Sequence, residues 1–370
     1  MRFVKRVPRR LAVAAAVLAA MLAACAAGAG AKNVAPAPKP PPVPTPPPLP
    51  VPPPAPPLPV APVLPAAHMK LELQKVGGLP LFALMGTRIV VRGVVTPYVA
   101  GQSVKVSLYR ESRKVEVRIM SVLPMRNGSG QFRIGFSSRD AGLVQARAVH
   151  YATPAQVAFT ARSPRFRFIW PNLGPGSQGQ SVRLLQSELN ALHYVVPLSG
   201  IFDEGTGRAM IAYRKVAGLE RVAYAGKGVF DRLAHGGGSF HVHYRGDGRH
   251  VEADLTKQVL AEIDPGGHVR AIYTMSSGKP STPTVIGRFQ VYSKTPGENA
   301  KGMVDSNYFI RGYAIHGYHE VPTYAASHGC LRIPIPDAAS VFGWVQVGMP
   351  VDVYNESGGG SHRVSGHAGP

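Results

Sequence analysis

Four residues able to do chemistry crowd into one short stretch, AIHGYHEVPTYAASHGCLRIP at 314–334: His316, His319, His328 and Cys330. A metal would need these side chains to converge as ligands, yet the spacing H-x2-H-x8-H-x-C matches no zinc pattern, and no metal is expected. His241 and His243 alternate along what reads as a strand, where facing solvent or core explains them. A purely structural thiol fits poorly, because Cys330 stands beside Gly329 in a loop short of packing residues, and such loops carry reactive groups. Nucleophilic catalysis fits better. An imidazole shifts a thiol towards thiolate, the attacking species. Backbone N–H groups in a Gly-containing turn supply donors for a developing oxyanion. Arg332, two residues on, is suited to a bidentate pair with a substrate carboxylate. Spacing alone leaves His316 and His328 both open as the base.

The elements around this loop read as mainly β and multidomain. Upstream, the runs in FHVHYRGDGRHVEADLTKQVLAEIDPGGHVRAIYTM bracket a turn at Asp264–Gly267 and STPTVIGRFQVYSK supplies another strand; after the Cys330 loop, PDAASVFGWVQVG reads as a short helix stopped near Gly348 and MPVDVY as a closing strand. Residues 238–354 are therefore the expected catalytic domain, and 355–370, GGGSHRVSGHAGP at its end, an expected disordered tail. Residues 171–237 read as a small helical unit. Val182, Leu185, Leu189 and Leu192 form one stripe, and a second helix runs through Met210 and Tyr213 towards Gly218. Residues 68–170 read as short strands: Val104, Val106 and Leu108 face inward, as do Val115, Val117 and Ile119, and Phe132, Ile134 and Phe136 follow after an Asn127-Gly128 turn.

The first 67 residues are of another kind. MRFVKRVPRR carries five positive charges and precedes the apolar run LAVAAAVLAAMLAAC, the layout of an export signal over 1–25. The run is shorter than the roughly 20 apolar residues of a membrane span. Its end, Leu22-Ala23-Ala24-Cys25, resembles the lipobox of bacterial lipoproteins, which implies acylation at Cys25 and a membrane anchor. In the linker, 26–67, residues 36–65 hold 18 of the 36 prolines. That composition favours an extended spacer, about 90 Å long at about 3.1 Å per residue. With Cys25 lipidated, Cys330 has no intrachain partner, and an exported protein keeps a lone thiol when the thiol has a use.

Net charge is +21, and residues 68–170 carry 16 basic against four acidic groups. An exported protein with such a patch meets lipid head groups and anionic wall polymers first. No zinc-finger spacing, RNA-binding signature or aromatic-rich basic stripe supports a nucleic-acid partner. A serine rival, Ser276-Ser277-Gly278-Lys279 in S-x-x-K register, lacks the S-D-N and K-T-G companions, and Gly278 and Pro280 oppose the helix it needs.

Three resemblances attach to these residues. GTRIVVRGVVTPYVAGQSVKVSLYR resembles an immunoglobulin-like spacer module. GSQGQSVRLLQSELNALHYVVPLSGIFDEGTGRAMIAYRKVAGL resembles the peptidoglycan-binding module of wall enzymes, departing from it at Tyr213-Arg214, where Phe-Gln is common. IHG followed by SHGCLR, with TPTVIGRF and HVEADLTKQVL as flanks, resembles the L,D-transpeptidases of the YkuD fold. That last resemblance implies Cys330 as nucleophile, His316 as general base and Gly317 as the backbone orienting it. It implies an oxyanion pocket shaped by His328 and Gly329, and substrate contacts from Arg332, Gly317 and Tyr308. The expected reaction is a 3→3 cross-link between peptidoglycan stem peptides through a Cys thioester, with carbapenems as acylating agents. An L,D-carboxypeptidase using water as acceptor, or a non-catalytic wall anchor, are the alternatives. Cell-wall glycan is the expected partner of the helical module, and no cofactor is implied.

Overall fold

The computed structural model describes residues 64, 66–356 and 358–359. The signal, Cys25, nearly all of the Pro-rich segment and most of the tail lie outside the described residues. One part of the tail does not: Gly358–Gly359 extends the closing strand Pro350–Asn355 as an antiparallel partner.

Residues 68–169 form two sheets over one core. His68–Gln74, Ile89–Thr96, Gly130–Phe136 and Leu123–Pro124 make the first, in that order. The second runs Phe82–Leu84, Phe166–Ile169, Gly142–His150, Ser103–Arg110 and Arg113–Ser121, with Phe159–Arg162 paired to Gly142–His150. Val104, Val106, Leu108, Phe132, Ile134 and Phe136 are buried as their alternation predicts. Val115, Val117 and Ile119 are not, Ile119 being 75% exposed. Arg113–Ser121 is an edge strand whose pairing shifts register between Leu108 and Tyr109, which sets Val117 opposite Ser107 and Ile119 opposite Lys105. Because faces alternate with period two, the turn and that shift decide which half of the strand looks inward.

Three helices follow: α1 (Gln180–Ala191), α2 (Glu204–Val216) and α3 (Lys227–Ala234). Val182, Leu185 and Leu189 are buried along α1, and Asp203 caps α2 by accepting the Thr206 N–H at 2.8 Å. The sequence reading missed α3, whose short apolar face (Val229, Phe230, Leu233) spans only two turns. The helical core is not closed on itself. It continues into Val259, Ala261, Ile263 and Ile272 of the following sheet and into Phe82, Leu84 and Ile169 of the preceding one. A polar contact reinforces this join. Lys215 of α2 is buried and donates from Nζ to Gln258 O (2.9 Å), Thr274 Oγ1 (2.7 Å) and Met275 O (2.9 Å). Three acceptors match the three donors of an ammonium, while burial lowers the Lys215 pKa to about 7.

The last part has two sheets. One is ordered His268–Thr274, Val259–Asp264, His250–Asp254, Pro350–Asn355 and Gly287–Gln290. The other is ordered Ser293–Glu298, Val304–Ile310, Tyr313–Tyr318 and Leu331–Pro334, with α4 (Ile335–Trp344) following directly. The helix expected to run to Gly348 therefore ends at Trp344, and His241 and His243 lie outside any strand, ring against ring at 5.1 Å. Phe289, Phe309, Ile315, Leu331, Val341 and Val351 fill the space between the sheets.

Candidate active site

Cys330 immediately precedes the strand Leu331–Pro334, which pairs in parallel with Tyr313–Tyr318: Ile315 faces Leu331 and His316 faces Arg332. Neighbouring strands lie about 4.8 Å apart, and residues two apart share a face. His316 and Cys330, 14 positions apart in the chain, are thus brought to adjacent strands on one face with Arg332. A cavity of about 320 Å³ opens there, lined by His316, Cys330 and Arg332 together with Lys301, Tyr313 and Tyr318. Ser327 and His328 also border it.

His316 is buried, and its Nδ1 lies 2.9 Å from Gly317 O. A carbonyl only accepts, so Nδ1 carries the proton and Nε2 keeps its lone pair. Gly317 itself has no room for a side chain, since a Cβ would stand 2.7 Å from that of Ala338 in α4. Burial pulls the imidazole pKa down to about 4, opposed by the Gly317 bond and helped by the Arg332 charge. Burial also pushes the Cys330 thiol up, against the Ala314 backbone and the charges of Arg332 and Lys301. Burial thus favours the uncharged form of both groups and works against the thiolate that a neighbouring histidine promotes.

The turn holding Cys330 is built from beneath. Ser327 is fully buried, and its Oγ donates to Cys330 O (2.6 Å) and accepts the Gly329 N–H (3.0 Å). Gly329 sits at φ +121°, where a Cβ would meet the Tyr313 ring at 2.4 Å. Its carbonyl accepts from Thr284 Oγ1 at 2.9 Å, and Thr284 Oγ1 in turn accepts the Gly278 N–H at 2.8 Å. With its N–H engaged by Ser327, Gly329 shapes the turn and does not aim a donor at substrate. Ser327 and Thr284 lie in SHGCLR and TPTVIGRF, where the sequence assigns them no role; a small hydroxyl two residues before the glycine of a turn is the signal for Ser327, and no local signal marks Thr284.

The other expected residues separate. Arg332 is nearly buried, its guanidinium 4.0 Å over the Tyr318 ring, and it has no carboxylate partner among the described residues. His328 is exposed at the rim, Nε2 3.3 Å from Lys279 Nζ. His319 is turned onto Tyr318, ring centres 4.3 Å apart, and does not line the cavity. Tyr308 does not line it either. Its strand position faces Ala314 in an irregular pairing, and its ring lies towards Tyr292 and its hydroxyl towards Asn299. Ser276, the serine rival, is buried outside any helix and donates to Tyr324 O at 2.7 Å.

Residues 248–353 match the model of the YkuD family, the L,D-transpeptidase catalytic domain. Among solved structures the chain is similar to an L,D-transpeptidase from Xylanimonas cellulosilytica, with 30% identity over 50% of this chain and 98% of that one and a TM-score of 0.47. It is similar to an L,D-transpeptidase from Stackebrandtia nassauensis, with 21% identity, 49% and 94% coverage and a TM-score of 0.33. It is also similar to a mutant L,D-transpeptidase from Enterococcus faecium, with 27% identity, 32% and 54% coverage and a TM-score of 0.26. No curated protein matches the chain.

If His316 serves as base to the Cys330 thiol, it accepts a proton only when unprotonated, so the acylation rate should hold as pH falls from 7 and drop through a pKa of about 4. Mass-spectrometric rates with a carbapenem from pH 3 to 9 measure this. An acidic limb near the unperturbed histidine value of about 6.5 would contradict it.

Proposed function

Because this chain belongs to the L,D-transpeptidases through its YkuD catalytic domain at residues 248–353, we propose that it makes 3→3 cross-links between peptidoglycan stem peptides through a thioester at Cys330. The observation that carries the reading is the His316 tautomer. With Nδ1 tied to Gly317 O, Nε2 is the one acceptor on the ring, in the cavity that also holds Cys330. As Sγ attacks the carbonyl of the third stem residue, its proton passes to Nε2. A C–S bond forms, the C–N bond to the terminal D-Ala breaks, and the imidazolium returns the proton to the departing amine. The side-chain amine of a second stem then attacks the thioester. It gives its proton to Nε2, and the imidazolium reprotonates the released sulfur.

Arg332 suits a stem carboxylate, since its guanidinium carries no internal counter-charge and is held flat by Tyr318. The rim at His328 and the turn shaped by Gly329 border the carbonyl under attack; the Gly329 N–H is engaged by Ser327, so donors to the developing oxyanion come from other main-chain groups of the turn. The helical unit around α1, α2 and α3 is read as the part that holds wall glycan. Cys25 is read as a lipid anchor, with the Pro-rich segment as an arm from the membrane towards the wall.

Cys330→Ser should fold and lose turnover, because an alcohol is far harder to ionise than a thiol. Mass spectrometry of purified muropeptides should show cross-linked dimers with the wild-type protein and none with the variant. Trimmed stems without dimers would replace cross-linking by hydrolysis, and dimers made by Cys330→Ser would remove Cys330 as nucleophile. Cys25→Ala should move the full chain from the detergent to the aqueous phase of a partition assay, given about 0.8 kcal/mol per buried CH₂ of an acyl chain. Identical partitioning of both proteins would refute the anchor.

A further inference from the structure

The sandwich at residues 68–169 holds a second polar cavity that shares no residue with the one around Cys330. Residues 68–170 contain four carboxylates against 16 basic groups, and each carboxylate is already engaged. Glu72 meets Lys70 and Arg92, Asp140 meets Arg110, Glu116 meets Arg118, and Glu111 meets Arg167. Arg147, Arg162 and Arg165 have no ion pair among the described residues. The strands Gly142–His150 and Phe159–Arg162 nevertheless set Arg147 directly opposite Arg162, an arrangement of like charges that weakens a sheet. Arg147 Nε is buried without a hydrogen-bond partner. With Arg165 and Tyr109 these two arginines line a cavity of about 280 Å³. Glu111 borders the same cavity, but its Oε1 already accepts the Leu143 N–H at 2.6 Å and Arg167 at 3.2 Å.

We propose that this cavity binds a phosphate group, as a monoester or a diester, through Arg147, Arg162 and Arg165. Guanidinium forks match phosphate and carboxylate oxygens alike. A carboxylate offers two oxygens in one plane; a phosphate monoester offers three non-bridging oxygens, and a diester two with its ester oxygens as weaker acceptors, splayed tetrahedrally so that guanidinium groups can approach from different sides. The like-charge pair and the orphaned Nε are explained together by an anion seated between the strands, which satisfies both. A fold-driven placement would more simply have put a neutral residue at one of the two facing positions. The phosphate can belong to a wall polymer or to a lipid head group, and the two sources share this chemistry. Neither bears on the reaction at Cys330, so the site stands or falls separately from it.

The test is calorimetric titration of the full chain at fixed ionic strength. The ligands are inorganic phosphate, poly(glycerol phosphate), and vesicles of phosphatidylglycerol or phosphatidylcholine. Arg147→Gln/Arg162→Gln is compared with Arg126→Gln/Arg139→Gln, which removes the same charge from exposed positions outside the cavity. Wild type should bind phosphate saturably. The cavity variant should bind about tenfold or more weakly, as loss of charge-assisted hydrogen bonds predicts, and the control by less than about twofold, as expected for screened surface charge. Without phosphate the cavity variant should melt no lower than wild type, because the like-charge pair is relieved. Arg165→Gln, which lies outside any strand, provides the same comparison should the double variant fail to fold. Competition by the polymer assigns the wall as source, and preference for phosphatidylglycerol vesicles assigns the lipid; the site stands in either case. Equal losses in the two double variants, or no saturation by phosphate, would overturn it.

Discussion

The hydroxyl of Ser327 holds the catalytic turn in place, and the rest of the site depends on it. It ties the carbonyl of Cys330 to the N–H of Gly329 across a turn whose glycine stands at φ +121°. Ser327 is itself held at both main-chain ends. Its N–H donates to Ser277 O at 2.9 Å, and its carbonyl accepts the Lys279 N–H at 2.9 Å and Thr282 Oγ1 at 3.1 Å. Each bond contributes only about 1 kcal/mol net, but leaving any of these buried groups unpaired costs about 1–3 kcal/mol. The turn therefore has one satisfied arrangement, and that arrangement sets Cys330 on the face of the sheet that His316 occupies. The bedding reaches further. Ser277 is bonded to both ends of the Gln258 side-chain amide, and Gln258 O accepts from Lys215 of α2. A helix outside the YkuD segment thus helps to seat the loop.

Desolvation then decides the chemistry. The same burial that fixes the turn lowers the basicity of His316 and the acidity of Cys330, so charge separation waits for substrate. A neutral thiol is also less exposed to oxidation than a standing thiolate, which suits Cys330, the free cysteine among the described residues. Arg332 and Lys301 pull in the opposite direction, and both line the cavity. They favour negative charge on sulfur and on an incoming carboxylate at the moment the pair separates.

Much of this was legible in the sequence, and the exceptions have physical causes. Cys330 and His316 could be read because a reactive thiol, an imidazole and a glycine in one loop are chemically conspicuous. Spacing leaves His316 and His328 equal as candidate bases; what it does not show is that His316 is buried with Nδ1 bonded to Gly317 O while His328 is exposed at the rim. Period-two alternation predicted Val104, Val106 and Leu108 correctly because that strand is central. It failed at Val115, Val117 and Ile119 because the turn and the register shift beside Leu108, which no alternation pattern shows, decide which half of that edge strand looks inward. Lys215 could not be singled out, since a lysine in an amphipathic helix normally faces water. Its partners Gln258, Thr274 and Met275 lie 43 to 60 positions away. Tyr308 comes into the site by resemblance alone; it lies in an irregularly paired strand and does not line the cavity around Cys330.

The clamp that Ser327 places on the turn is the contact on which the position of Cys330 most directly depends. Ser327→Ala removes the hydroxyl and leaves Gly329 N–H and Cys330 O unpaired, at a stability cost of about 1–3 kcal/mol that the fold should survive. The measurement is the rate of Cys330 acylation by a carbapenem at pH 7, followed by intact mass, in wild type and in this variant. The account predicts a fall of about tenfold or more, because a misplaced nucleophile loses the alignment that proximity catalysis requires. A folded Ser327→Ala protein acylated at the wild-type rate would contradict it.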